Sequence, residues 1–458
     1  MSARRIALVC MTPVPDTDEH GPLRLPSYGI HRILAATMAD PGLSNAKVSL
    51  IDVGGPDVDA YMAAIEHVNP DLIGLSIYVW STPCLVEVAR RVKRRWPETL
   101  IVFGGPSART ALFDLPAYAP AGAYLDAVVS VDGEAIFPDI ARLSSLTRQG
   151  LSTVTGIHLP GDKGWMHTGP RPPLASLDEI PSPFQLGLMP PQSVAYLETY
   201  RGCPLGCRFC EWGAKETSKS VFSTDYIARE LEAFAASRAP AVFLLDAGLN
   251  LNAQGFRNLV AAEERVGALR STKFWAEIYP TLVRDEHLEF LSRVGTSYLG
   301  VGLQSLDERV LKLHDRPFDR GRFERNMRAL ASTTTAELQI IFGLPGDSPE
   351  GFRRTLEYSR SFGVAVRAYH CLVLPDALMT RGRPEWRMQY DPATLAMLEC
   401  EGWTRDDITA MRESLDRETR QAGGHSGKYW WSFPPVRRGG SFDPPEGGAN
   451  EVPPLRTP

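Results

Sequence analysis

Tyr200-Arg-Gly-Cys203-Pro-Leu-Gly-Cys207-Arg-Phe209-Cys210-Glu-Trp212-Gly213 gathers three of the chain's seven cysteines on one short segment. It follows the apolar run 195–199, so it stands where a strand gives way to a loop. Three thiolates on one such loop can wrap three corners of a cubic iron-sulfur cluster and leave one iron open. The competing readings are a group of buried free thiols or a zinc site. Zinc usually takes four ligands, and no cysteine or histidine lies close in sequence to supply the fourth. An odd number of cysteines in 458 residues is no disulfide framework, and a tight group of them in a reducing compartment points to metal or redox work.

Outward from this loop the chain keeps a strand-helix beat. Short apolar runs recur at 195–199, 241–246, 274–278, 298–302, 338–342 and 366–374. Helical patterns stand between them, among them 225–236, 285–293, 306–314 and 320–331. Six such units predict a partial (β/α)6 barrel, with chemistry at the carboxyl ends of its strands. Upstream, runs at 6–10, 48–53, 72–77, 100–103 and 127–131 are apolar at nearly every position, and amphipathic stretches such as 83–95 separate them. That pattern predicts a parallel sheet covered on both faces, a doubly wound, Rossmann-like domain. The fold class is therefore α/β: a doubly wound domain over 1–145, a Gly- and Pro-rich linker over 146–192, the partial barrel over 193–375, a small helical region over 376–432 and a disordered tail over 433–458.

A formal net charge of -5 with 22% charged residues carries no cationic footprint for nucleic acid. No stretch is long and apolar enough for a membrane span, and residues 1–13 lack the apolar region and cleavage site of a signal peptide. A cytoplasmic enzyme acting on a small molecule or peptide is expected.

The Cys-x3-Cys-x2-Cys spacing with aromatic Phe209 before the last cysteine resembles the signature of the radical S-adenosylmethionine (SAM) superfamily, and the resemblance runs from Ser193 to about Pro375. It implies a 4Fe-4S cluster on Cys203, Cys207 and Cys210, bordered by Phe209 and Trp212. The open iron would chelate SAM, and an electron from a reductant such as flavodoxin or ferredoxin would cleave it to a 5'-deoxyadenosyl radical. Further positions look similar to the family pattern. Asp246, in Asp246-Ala-Gly-Leu-Asn250, would meet the methionyl amino group, or else cap a turn. Gln304 and Ser305 would face the ribose, or cap the next helix; Gly343 and Leu344, in Gly343-Leu-Pro-Gly-Asp347, would let backbone approach the adenine. Glu277 and Tyr279, in Trp275-Ala-Glu-Ile-Tyr279, are catalytic candidates. In enzymes resembling the tryptophan 2-C-methyltransferase a glutamate near this point occupies the open iron; the other reading of Glu277 is a salt-bridged barrel residue. Tyr369 and Asp376 are substrate-facing candidates.

The first domain resembles the cobalamin-binding domain that precedes the radical domain in one large subfamily. Ser76, Gly104 and Gly105 would line the nucleotide tail, Tyr78 and Trp80 would lie near the lower corrin face, and Gly133 and Glu134 complete the landmarks. Asp18-Glu-His20-Gly-Pro-Leu23 has Leu23 where the cobalt-ligating motif carries glycine, so His20 is not expected on cobalt. A domain used for packing or for another nucleotide is the alternative. Together the resemblances imply a cobalamin-dependent radical SAM C-methyltransferase acting on a natural-product precursor, amino acid or peptide. The rival functions are a non-methylating rearrangement or cyclisation with the same cofactors, and a non-catalytic cobalamin or iron-sulfur sensor.

Overall fold

A computed structural model describes residues 3–12, 25–212 and 220–435. Ile6-Ala-Leu-Val-Cys10 is apolar throughout because both faces of its strand are covered, which removes any pressure for alternation. That strand, β1 (Arg5–Cys10), runs parallel to β2 (Lys47–Asp52) on one side and β3 (Leu72–Ser76) on the other. Next to β3 come β4 (Leu100–Gly104) and β5 (Ala127–Val129), also parallel. Ala7, Val9, Ile73 and Leu75 pack against the helices Val58–Val68 and Thr82–Arg95. Ile6, Leu8 and Val102 pack against Tyr28–Ala39 and Gly133–Ala141 on the opposite face. The winding reverses between β1 and β3, and the crevice outside the carboxyl ends at such a reversal is where doubly wound sheets bind ligands.

Two further strands, β6 (Ile157–Gly161) and β7 (Gly164–His167), extend this sheet antiparallel from β5, within the stretch expected to be a linker. The sheet order is β2-β1-β3-β4-β5-β6-β7. Terminal strands need no apolar run on both faces and tolerate Pro160 and Gly161, so the pattern that marks buried strands is absent there.

The second sheet sets β8 (Ala195–Leu197), β9 (Ala241–Leu244), β10 (Lys273–Ile278), β11 (Ser297–Gln304), β12 (Thr335–Phe342) and β13 (Ala365–His370) side by side, all parallel. This is the expected six-unit partial barrel. Helices return the chain after each of the first five strands, and side-chain oxygens start the helices that follow four of them: Ser223 accepts from Tyr226 N, Asn252 from Gly255 N, Asp319 from Arg322 N and Ser348 from Gly351 N. The helices Ala253–Val266 and Pro349–Arg360 fill the connections from β9 to β10 and from β12 to β13.

The region after the barrel is not simply helical. Besides the helix Arg405–Gln421 it holds the short pair β14 (Gln389–Tyr390) and β15 (Met397–Glu399), then β16 (His425–Gly427) and β17 (Trp430–Phe433). Strand β17 pairs antiparallel with β13, setting Trp430 opposite Tyr369, and so covers the edge a closed barrel would lack. The expected tail boundary at 433 therefore falls inside a strand; residues 436–458 lie outside the described residues, as does His20. Among the described residues no helix is long and apolar enough to cross a membrane.

Candidate active site

A cavity of about 860 Å³ opens between the two sheets. Its first half is built at the carboxyl edge of the doubly wound sheet by Ser76, Tyr78, Trp80, Gly104, Gly105, Gly133 and Glu134. The Tyr78 and Trp80 rings stack at 4.5 Å, forming one flat apolar wall. Gly105 takes φ +101, and a Cβ there would lie 2.8 Å from the Ile77 carbonyl oxygen, so only glycine suits the turn. A Cβ on Gly104 would meet nothing within 4 Å, which leaves bare backbone facing open space.

The second half is the barrel mouth. Phe209, Cys210 and Trp212 line it from the cysteine loop, and Gln304, Gln339, Arg367 and Tyr369 line it from β11, β12 and β13. Gln304 reaches it because β11 shifts register between Gly302 and Gln304, with Gln304 at φ +71. Ser305, expected beside it, turns away and is buried with its hydroxyl donating to Asp347 at 3.2 Å. Gly343 at φ +80 and the buried Leu344 also lie off the cavity.

Below the mouth the barrel interior is polar. Gly300 carries no side chain where a Cβ would come within 2.3 Å of Glu277 Oε1, and that vacancy lets Glu277 reach across β11. Gln339 Nε2 donates to Glu277 Oε1 at 3.0 Å. Burial raises the Glu277 carboxyl to about 7, against the opposing hydrogen bond from Gln339. Tyr279 is buried near the cysteine loop instead: its hydroxyl donates to the Pro317 carbonyl, and Arg316 lies 5.0 Å over its ring. It does not line the cavity, so the expected catalytic contact is not formed.

The cysteine loop is braced from several sides. Arg208 pairs with Asp315 at 2.7 Å, Arg381 donates to the carbonyls of Gly206 and Cys210, and Arg316 Nη1 lies 3.8 Å from Cys207 Sγ. Asp246 belongs to the same bracing. Its buried carboxylate accepts from Thr199 N at 2.8 Å and from the Thr199 hydroxyl, so it clamps the entry to the loop rather than facing the cavity. Burial raises Asp246 to about 7.

Residues 197–359 match the radical SAM superfamily and residues 23–141 match the B12 binding domain. The chain carries a radical SAM domain preceded by a B12-binding domain. It is 28% identical over 331 residues to the 2-(S-pantetheinyl)-carbapenam-3-carboxylate methyltransferase of Streptantibioticus cattleyicolor, covering 68% of this chain and 48% of the relative. It is 27% identical to the cobalamin-dependent radical SAM methyltransferase TokK of Streptomyces tokunonensis, covering 72% and 50%. The chain thus spans about half the length of these relatives. The structure of TsrM, a radical SAM methyltransferase from Kitasatospora setae with tryptophan and a SAM analogue bound, superposes with a TM-score of 0.67 at 15% identity, covering 89% of each chain.

A radical SAM domain works with a 4Fe-4S cluster and SAM, and a B12-binding domain with cobalamin. The donor set suits the cluster. Cys203, Cys207 and Cys210 are free thiols, Cys207 lies close enough to raise the pKa of the other two, and Cys210, pushed up to about 12 mainly by burial, requires bound cations to ionise at neutral pH. The bare Gly104 backbone and the flat Tyr78-Trp80 wall suit a bulky ligand in the B12-binding domain. Gly104→Leu should therefore retain the wild-type melting temperature of the cobalamin-free protein within about 2 °C, a shift that corresponds to roughly 2 kcal/mol for a chain of this length. Its hydroxocobalamin affinity should drop at least about tenfold, which is 1.4 kcal/mol. Unchanged affinity in a spectroscopic titration would take Gly104 out of the cobalamin site.

The two domains meet at Arg201, inside the cysteine loop but without an expected role. It donates to Glu134 of the B12-binding domain at 2.6 Å and to Glu198 at 3.1 Å, and lies 3.3 Å from Asp132. Arg32 adds a second cation on Glu198 at 2.9 Å. Burial alone would raise the Glu134 carboxyl, but the Arg201 charge and hydrogen bond outweigh it and hold the group at about 2. Asp376, expected near substrate, is instead paired with Arg109 of the B12-binding domain. Arg201, Arg316, Glu337, Gln339 and Arg367 are the site residues that sequence reasoning passed over; Glu337, Gln339 and Arg367 do carry a signal, being polar residues on the inward-facing alternate positions of β12 and β13.

Proposed function

We propose that this chain is a C-methyltransferase that uses SAM and cobalamin together to methylate a carbon of a small molecule or peptide. The observation that carries the reading is the single cavity lined both by Trp80 and Gly104 and by Cys210, Gln304 and Tyr369. Methylation at an unactivated carbon needs a hydrogen removed and a methyl delivered at one place, and a shared chamber meets that demand. When bound, the cluster with SAM supplies hydrogen-atom abstraction, and cobalamin carries the methyl group.

In this reading Cys203, Cys207 and Cys210 hold the cluster, Arg316 offsets the thiolate charge, and Gln304 orients SAM at the mouth. Trp80 and Tyr78 support the corrin, while Ser76, Gly104 and Gly105 make room for its tail. Glu277, engaged by Gln339, would stay in the barrel interior and take no part in holding the cluster. The methyltransferase relatives support the reading. A low-potential donor such as flavodoxin or ferredoxin provides the electron.

The test is anaerobic reconstitution of the full chain with iron, sulfide and hydroxocobalamin, followed by SAM and a chemical reductant. Mass analysis should find both S-adenosylhomocysteine, from methyl transfer, and 5'-deoxyadenosine, from cleavage. Deoxyadenosine without S-adenosylhomocysteine would assign the rearrangement chemistry instead, and neither product would leave a sensor.

A further inference from the structure

We propose that Arg367 is the substrate-anchoring residue of this site and that the substrate carries a carboxylate. The inference deepens the methyltransferase reading by naming a substrate class, and it rests on that reading for the word substrate.

Arg367 stands on β13 opposite Gln339, and lines the barrel half of the cavity. It is 3% exposed. Its Nη2 donates to Glu337 Oε2 at 2.8 Å, and its guanidinium lies 5.0 Å from the centre of the Trp430 ring. Nε and Nη1 have no acceptor within 3.5 Å among the described residues, and the Tyr369 hydroxyl makes only a longer contact with the guanidinium. A buried guanidinium with unused N–H groups is costly unless a ligand completes it, and a planar carboxylate is the acceptor that best matches its fork.

The surroundings favour the same chemistry. Glu337 and Trp430 hold the guanidinium from two sides, so its orientation is set before any ligand arrives. Tyr369 and Trp430, paired across β13 and β17, add aromatic walls beside it. A carboxylate joined to a flat apolar body would place the charge on Arg367 and the body along those rings. Anchored there, the rest of the molecule extends toward Gln304 and Cys210, which line the same cavity.

SAM also has a carboxylate, and the experiment must separate the two sources. Benzoate and indole-3-acetate, with benzamide and indole-3-acetamide as neutral counterparts, are titrated into the reconstituted full chain by calorimetry and saturation-transfer NMR. The expected result is that at least one acid binds at least about tenfold tighter than its amide, and that saturating S-adenosylhomocysteine leaves this preference intact. Arg367→Gln alone would strand Glu337, so the variant is Arg367→Gln with Glu337→Gln, checked for wild-type circular dichroism and hydroxocobalamin binding. It should lose the preference for acid over amide. Equal binding of acid and amide by the wild type, no binding of either acid, competition by S-adenosylhomocysteine, or an unchanged preference in the double variant would each overturn the assignment. None of these readouts requires turnover, so they fail or succeed independently of the methyl-transfer assay.

Discussion

Cys207→Ala should leave a folded protein that binds hydroxocobalamin normally, carries no intact 4Fe-4S cluster after reconstitution, and cleaves SAM at least about a thousandfold more slowly. The expectation of a folded variant comes from how the loop is held. Cys210 N donates to the Cys207 carbonyl at 3.1 Å, Arg208 N donates to the His314 carbonyl at 3.0 Å, and Arg381 brackets the Gly206 and Cys210 carbonyls. None of these bonds uses the Cys207 thiol. Its sulfur is a small buried group whose loss costs about 1 kcal/mol of packing. Removing it takes away one of three corners, and two thiolates on one loop do not retain the cube against loss of iron. Iron and sulfide analysis with the visible absorbance of the anaerobic protein gives the result directly. Full iron content together with full SAM cleavage in this variant would remove the cysteine triplet from the mechanism.

The parts of this site legible in the sequence are those whose cause is local. Residues 6–10 and 72–75 carry no polar side chain because helices cover both faces of their strands, so the doubly wound sheet announces itself. The cysteine spacing is local too, and so are Gly104 and Gly105 at the end of β4. Residues whose roles depend on distant partners read differently. Asp246 looks like a cofactor contact from its place at a strand end, yet its carboxylate is taken by Thr199 on the neighbouring strand end. Ser305 is drawn off the cavity by Asp347, and Asp376 by Arg109 of the other domain. Strand β17 escapes notice because its partner, β13, is some sixty residues upstream and the Trp430–Phe433 segment is flanked by glycine and proline. Arg367 lies between these extremes. A charged residue at an inward position of a barrel strand is visible, but its incomplete hydrogen bonding is a property of the folded interior.

Arg201→Met is expected to destabilise the chain by about 3 kcal/mol at neutral pH, within the range for removing one partner of a buried ion pair. The Arg201, Glu134 and Glu198 side chains are each no more than 15% exposed, so solvent screens the loss weakly; the contact to Asp132, 47% exposed, contributes little. Glu198 keeps Arg32, whereas Glu134 loses the cation that holds it down at about 2. The pH dependence follows from that depression. A carboxyl with a folded pKa below its unfolded value of 4.5 contributes stability above about pH 4.5 and loses it as pH falls toward 2. Urea unfolding should therefore show the gap between wild type and variant widest near pH 7 and closing below about pH 4. The double variant Arg201→Met with Glu134→Gln removes the stranded charge and should regain about half of the loss, because a neutral amide costs less to bury than an unpaired carboxylate. A difference that stays constant from pH 7 down to about pH 3, or one below about 1 kcal/mol at pH 7, would mean that water reaches this junction and that the ion pairs do not hold the cysteine loop against the B12-binding domain.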